Sequence, residues 1–183
     1  MANDEFARRL RLVGPGDWQR PTPCSEWDVR ALVNHVIGAN VRYELLLHGA
    51  SSPQVEATRN VDHLGDDALA SFLATAEREV ACFLEEGALD RVTHHVIGDR
   101  TGRELLSMRI LDVAVHAWDL ARAIGAEETV DGDVVSFLLA DTADLKLGPA
   151  FAPADSEVLR DATPQYQLLH RLGRRPNTPE EVR

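Results

Sequence analysis

Met108-Arg109-Ile110-Leu111-Asp112-Val113-Ala114-Val115-His116-Ala117-Trp118-Asp119-Leu120-Ala121-Arg122-Ala123-Ile124 decides how the rest of the chain is read. Between Arg109 and Asp119 almost every residue is apolar, and the apolar residues occupy all sides of a helix, so this helix packs against several neighbours. Asp112 and His116 interrupt the run four residues apart, which stacks them on one helical face. Asp119 lies within about 60° of His116 on the same face, at about 100° of turn per residue. A carboxylate and an imidazole in a core need a partner, because an unpaired buried charge costs several kcal/mol. Two readings meet that need: a buried Asp–His ion pair, with Arg122 closing on Asp119, or a metal site in which one rigid helix supplies two ligands.

Local signals bound this helix and its neighbours. Thr101-Gly102-Arg103-Glu104 is a capping box that opens it, and Gly125 stops it after Ile124. Upstream, Phe6, Leu10 and Val13 share a face of a first short helix from about Asn3 to Val13, ended by Gly14-Pro15-Gly16. Pro21-Thr22-Pro23-Cys24 is an extended connection. Ser25 is the expected cap of a second helix that runs to about His48, with Val29, Leu32, Val36, Tyr43 and Leu47 as its stripe. Ser51 to Gly65 reads as a loop, Asp66 to Glu86 as a third long helix, and Val92 to Ile97 as a short extended piece. A helix over Asp131 to Leu147, closed by Gly148 and Pro149, and another from Thr163-Pro164 to Leu172 complete the chain. The expected fold class is all-α: a four-helix bundle with additional short helices, as one domain over 1–183 with the tail 149–183 packed on the bundle.

A metal reading requires a third ligand from another helix. Of the seven histidines, His35 is best placed, on the flank of the second helix's apolar stripe. Its alternative is a half-buried histidine bonded to water or backbone. His48 is explained by its helix end, His63 and His170 read as surface residues, and His94 and His95 are left unassigned. Trp27 and Trp118 read as core. Cys24 sits before a helix N-terminus, which favours a thiolate, but no base is identifiable beside it.

Composition narrows the partners. Thirty acidic residues against nineteen basic ones give 183 residues a formal charge of −11, which repels phosphate backbones and anionic membranes, so neither nucleic acid nor membrane is expected. The segment Met1 to Gly14 lacks an apolar signal core, and two cysteines are too few for a disulfide framework, which predicts a cytoplasmic, reduced protein. Acidic bundles of this size often pair, which leaves the oligomeric state open between monomer and homodimer.

Two segments carry a family resemblance. Pro21-Thr22-Pro23-Cys24-Ser25-Glu26-Trp27-Asp28-Val29-Arg30-Ala31-Leu32-Val33-Asn34-His35 resembles a TPC-x-x-W-x-V-x-x-L-x-x-H signature, and Asp112 through Ala123 resembles its E-x-x-x-H-x-W-D-L-A-R-A partner. Both are typical of the metal-binding domain of mycothiol-dependent maleylpyruvate isomerase-like proteins, in the DinB/YfiT-like superfamily. The resemblance implies an up-down-down-up four-helix bundle holding one divalent metal, with His35, Asp112 and His116 as ligands. Asp112 stands where relatives with a carboxylate commonly carry Glu. The implied function is that of a metal-dependent thiol S-transferase or isomerase-type enzyme. Zinc or nickel would be the metal, and a mycothiol-like thiol and an electrophile the small-molecule substrates. Asp119 is then expected to orient an imidazole from behind the ligands. The competing readings are a non-haem iron facial triad, which a helical bundle disfavours, and a non-catalytic dimerisation or binding module that keeps an idle metal site.

Overall fold

The computed structural model describes residues 1–141 and 162–175. They divide into two compact units, Met1–Glu128 and Thr129–Arg183. In the first, four helices form a closed ring: α1 (Ala2–Leu10) packs on α5 (Gly102–Ile124), α5 on α2 (Val29–Leu47), α2 on α4 (Ala68–Leu84), and α4 back on α1. A short helix α3 (Ser52–Glu56) lies inside the stretch expected to be loop. The Val92–Ile97 piece is one arm and the turn of a hairpin, β1 (Val92–His95) paired antiparallel with β2 (Gly98–Thr101), in the register Val92 to Thr101 and His95 to Gly98. The bundle class holds, and the hairpin is its only sheet among the described residues.

Each long helix is bounded by side-chain chemistry. At α5 the Glu104 N–H donates to Thr101 Oγ1 at 3.2 Å, and the Thr101 N–H donates back to Glu104 Oε2 at 2.7 Å. Gly125 then leaves the helix with φ +70°, a left-handed value that a Cβ would strain. The start of α2 departs from expectation: Asp28, not Ser25, is the cap, and its carboxylate accepts from the Ala31 N–H at 2.8 Å. The preceding segment is tied elsewhere. Thr22 Oγ1 donates to Trp27 O at 2.8 Å and accepts from Cys24 N at 3.1 Å, while Pro21 and Asp28 form an isolated antiparallel bridge. These bonds knot residues 21–28 against the end of α2 and hold Cys24 and Trp27 in place. The third long helix begins later than Asp66, capped by Asp67, which accepts from Leu69 N and Ala70 N at 3.0 Å each.

The ring closes over two apolar clusters. The larger gathers Phe6, Leu10, Leu32, Val36, Phe72, Val113 and Leu120; the smaller gathers Tyr43, Leu46, Leu47, Phe83 and Leu105. Phe6 and Phe72 meet at 4.8 Å between ring centroids, joining α1 to α4 at a distance where aromatic pairs attract. The fully buried Arg9 binds Glu5 Oε2 at 2.6 Å and the Glu127 carbonyl at 3.3 Å, fastening α1 to the segment after α5.

In the second unit α6 (Gly132–Asp141) and α7 (Pro164–Arg171) pack together, burying Val134, Val135 and Leu138 on one and Leu168 and Leu169 on the other. Thr163 caps α7 by accepting from Tyr166 N. The expected continuation of α6 from Thr142 to Leu147, its closure at Gly148 and Pro149, and most of the tail 149–183 lie outside the described residues.

Candidate metal centre

Near the middle of α2 and α5 the ring holds a polar group in its interior. His35 Nε2 and His116 Nε2 each lie 3.3 Å from the same oxygen, Asp112 Oδ1. One ligand atom from each of the three falls within 4.8 Å of the others. The His116 side chain is 9% exposed, whereas those of His35 and Asp112 are 27% and 25% exposed, so the group is closed on one side and open to solvent on the other. The α5 spacing supplies Asp112 and His116, and α2 supplies His35 from across the ring.

Neighbouring residues orient this trio. His116 Nδ1 is 3.0 Å from Oδ2 of Asp119, which is fully buried. A buried carboxylate there accepts the Nδ1–H, so that in the neutral imidazole the Nε2 lone pair faces Asp112. The Cys24 thiol donates to the same Asp119 Oδ2 at 3.3 Å and lies 3.9 Å from His116 Nδ1. Trp27 covers both imidazoles, with ring centroids 4.5 Å from His35 and 5.6 Å from His116. Trp118 is core as expected, but Trp27 is a wall of this group. Cys24 does have basic groups beside it: α5 brings His116 from 92 residues away and the Asp119 carboxylate from 95.

A buried cation holds the other side of Asp112. Arg109 donates to Asp112 Oδ2 at 2.5 Å, to Glu79 Oε1 at 2.9 Å and to the Val36 carbonyl at 3.1 Å, and also to Asn40 Oδ1. Arg109 and Glu79 are 3% and 2% exposed. Asn40, completely buried, passes the chain on to Thr75 Oγ1 at 2.9 Å. Sequence reasoning missed this support. The one available signal was an arginine inside the apolar run of α5.

The electrostatics follow from burial and pairing. Burial alone would raise Asp112, but the two histidines outweigh it and hold its carboxyl well below the usual carboxylate range. For His116 burial works downward, and the charge and hydrogen bond of Asp112, with the bond to Asp119, lift it well above an ordinary imidazole. His35 goes the other way: desolvation outweighs the attraction of Asp112 and leaves it below the ordinary value. Burial raises Glu79 even beside Arg109.

Two bare imidazole nitrogens beside one carboxylate oxygen would repel it, so a proton or a cation lies among them; the raised His116 supplies the proton, and a metal ion would take its place. The donor atoms suit a cation. Bonds of about 2.0–2.1 Å at the tetrahedral angle separate two N or O ligand atoms by roughly 3.3–3.4 Å, and both observed N···O separations are 3.3 Å. The shorter reach of Asp112 does not remove it from the group. Of the other sequence candidates, His63 is half-buried rather than a surface residue, its Nε2 lying 2.9 Å from Thr58 O. His94 pairs with Asp99 on the hairpin.

Known proteins resemble this chain in sequence and in fold. Residues 1–121 match the profile of the mycothiol maleylpyruvate isomerase N-terminal domain. Two Mycobacterium tuberculosis proteins described as uncharacterized, one from each of two strains, are 33% identical over 179 residues, covering 94% of this chain and 93% of their own. Among solved structures, the crystal structure of the mycothiol-dependent maleylpyruvate isomerase aligns with a TM-score of 0.59 at 19% identity, over 76% of this chain. A histidine-to-alanine mutant of that enzyme aligns equally well. The chain spans 64% of the length of that isomerase, and at this identity the likeness establishes the fold. With the profile covering most of the chain, the protein belongs to the mycothiol maleylpyruvate isomerase N-terminal domain family.

Proposed function

We propose that His35, Asp112 and His116 hold one divalent metal ion and that the protein is an S-transferase or isomerase-type enzyme acting on a mycothiol-like thiol and an electrophile. The observation that carries this reading is the convergence of two imidazoles and one carboxylate oxygen at 3.3 Å, open to solvent on one side. Two borderline nitrogen donors and one hard oxygen favour zinc or nickel. An ion held there supplies a positive charge that lowers the pKa of a nearby thiol.

The chain's own residues do the rest. Asp119 keeps the Nδ1 proton of His116, so that its Nε2 remains a donor toward the open side. Arg109 holds Asp112 Oδ2 and leaves Oδ1 facing both histidines. Trp27 packs its ring against both imidazoles and forms one wall of the site. The charge of −11 further supports a small molecule rather than a nucleic acid as partner, and among the described residues no helix is long and apolar enough to cross a membrane.

The test is elemental analysis of untagged protein purified without chelator, beside His116→Ala, followed by thiol-consumption assays with mycothiol and a panel of electrophiles. Metal in the parent that is lost in the variant, together with metal-dependent thiol consumption, is the expected result. Metal without consumption would reduce the protein to a binding module. A parent that takes up neither zinc nor nickel at this trio would overturn the reading.

A further inference from the structure

At the far ends of α2 and α4 a second, separate set of donors converges. Cys82 Sγ lies 3.7 Å from His48 Nε2, and His48 Nε2 lies 3.6 Å from Glu85 Oε1. All three ligand atoms fall within 4.8 Å of one another. His48 is thirteen residues beyond His35 on the same helix, about 20 Å along its axis at 1.5 Å per residue. This group therefore shares no residue with the trio above. We propose that His48, Cys82 and Glu85 form a second metal site, for a borderline-soft divalent ion of the zinc class.

Three observations support it. First, the spacing fits: a zinc–sulfur bond of about 2.3 Å and a zinc–nitrogen bond of about 2.0–2.1 Å at the tetrahedral angle put sulfur and nitrogen roughly 3.5–3.6 Å apart, and nitrogen and oxygen roughly 3.3–3.4 Å apart. The observed 3.7 and 3.6 Å need only a small contraction. Second, the helix ends favour a cation. His48 is the C-terminal cap of α2 and Glu85 that of α4, so two helix ends with partial negative charge meet here. Glu44, Glu85 and Glu79 bring further carboxylates toward the thiol, each of them already paired with an arginine: Arg78, Arg91 and Arg109. Third, the carboxylate is held in place. Arg91 donates to the Leu47 carbonyl and reaches Glu85 Oε2 at 3.4 Å, leaving Oε1 toward His48.

Access is suitable. Cys82 is 5% exposed, while the side chains of His48 and Glu85 are 51% and 44% exposed, so an ion enters from solvent onto a buried sulfur. Binding exchanges the Cys82 S–H bond for a sulfur–metal bond and releases one proton to solvent. The metal would pin the ends of α2 and α4 together.

Cobalt(II) tests this without any activity assay, because a thiolate ligand produces a strong near-ultraviolet charge-transfer band and a nitrogen–oxygen site does not. Full-length protein titrated with cobalt(II) is expected to bind two equivalents, one of them carrying the band. Cys82→Ser, and His48→Gln at an exposed helix end that should not disturb folding, should each abolish or sharply weaken the band and leave the other equivalent. His116→Ala should do the reverse. Cys24→Ser should leave the band in place; its loss there would assign the thiolate to the other end of the bundle. No band in the parent, or a band insensitive to both Cys82→Ser and His48→Gln, would overturn the proposal. That failure differs from failure of the first site, which shows in His116→Ala.

Discussion

Replacing Arg109 by Met probes the link between the core and the proposed metal centre. The guanidinium faces a carboxylate that is 2% exposed, and two further acceptors, Val36 O and Asn40 Oδ1, depend on it. Removing one partner of a buried pair costs about 3–5 kcal/mol, because the remaining charge stays in the core. The orphaned acceptors overlap with that loss and are not added to it. A penalty of about 4 kcal/mol corresponds to a fall in Tm of roughly 8–16 °C for a chain of this size. Part of it is recoverable with acid. Burial already raises Glu79 beside Arg109, and without the cation it rises further. Where the folded carboxyl keeps a proton that the unfolded one has released, the native state binds more protons and stability falls as pH rises. The deficit of Arg109→Met is therefore expected to be smaller near pH 5 than near pH 8. Adding Glu79→Gln should restore at least half of the lost stability.

Metal binding separates positioning from stability. Arg109→Met frees Asp112 Oδ2, and loss of such a supporting bond typically weakens metal affinity about 10–100-fold. The double variant should regain stability and keep the weakened affinity. Urea denaturation at the two pH values, and competition with a chelator for zinc, measure the two effects. A stability loss under about 1 kcal/mol, independent of pH, would refute the idea that the Arg109–Glu79 pair is desolvated.

Other outcomes follow from the same geometry. Asp119→Asn should lower zinc affinity about 10–100-fold, because His116 Nδ1 loses the acceptor that sets its tautomer; the same chelator competition reads this. Without metal, the raised His116 contributes stability below its ordinary value of 6.5 that is lost as pH rises through its folded value. The depressed Asp112 contributes stability above 3.8 that is lost as pH falls. Zinc needs deprotonated ligands, so the gap in Tm between zinc-loaded and chelator-treated protein should widen from about pH 6 to about pH 8. Chelator should leave far-ultraviolet circular dichroism nearly unchanged at 25 °C, since neither apolar cluster includes a residue of the trio. Gly102→Ala should cost roughly 1–3 kcal/mol in urea titration, because a Cβ there would sit 2.0 Å from the Ala88 carbonyl oxygen, a backbone atom.

Helix α5 was readable almost to the residue because its signals are local: a capping box within four positions, a left-handed glycine, and Asp112 and His116 one turn apart in an apolar run. His35 was readable as a polar flank of an apolar stripe, since the stripe itself says which side faces the ring. The cap of α2 was not, because Ser25 and Asp28 have similar local preference. The choice fell to bonds from Thr22 and Pro21 that hold residues 21–28 in a turn. Glu79 and Asn40, two partners of Arg109, lie 30 and 69 residues from it, and Cys24 lies 92 residues from His116. Periodicity and capping act over one or two helical turns, so they place residues on faces and at ends. Which faces meet, and therefore which cation answers Glu79, which thiol stands behind His116 and which helix ends bring His48 to Cys82, is set by the packing of α2, α4 and α5 around their apolar clusters.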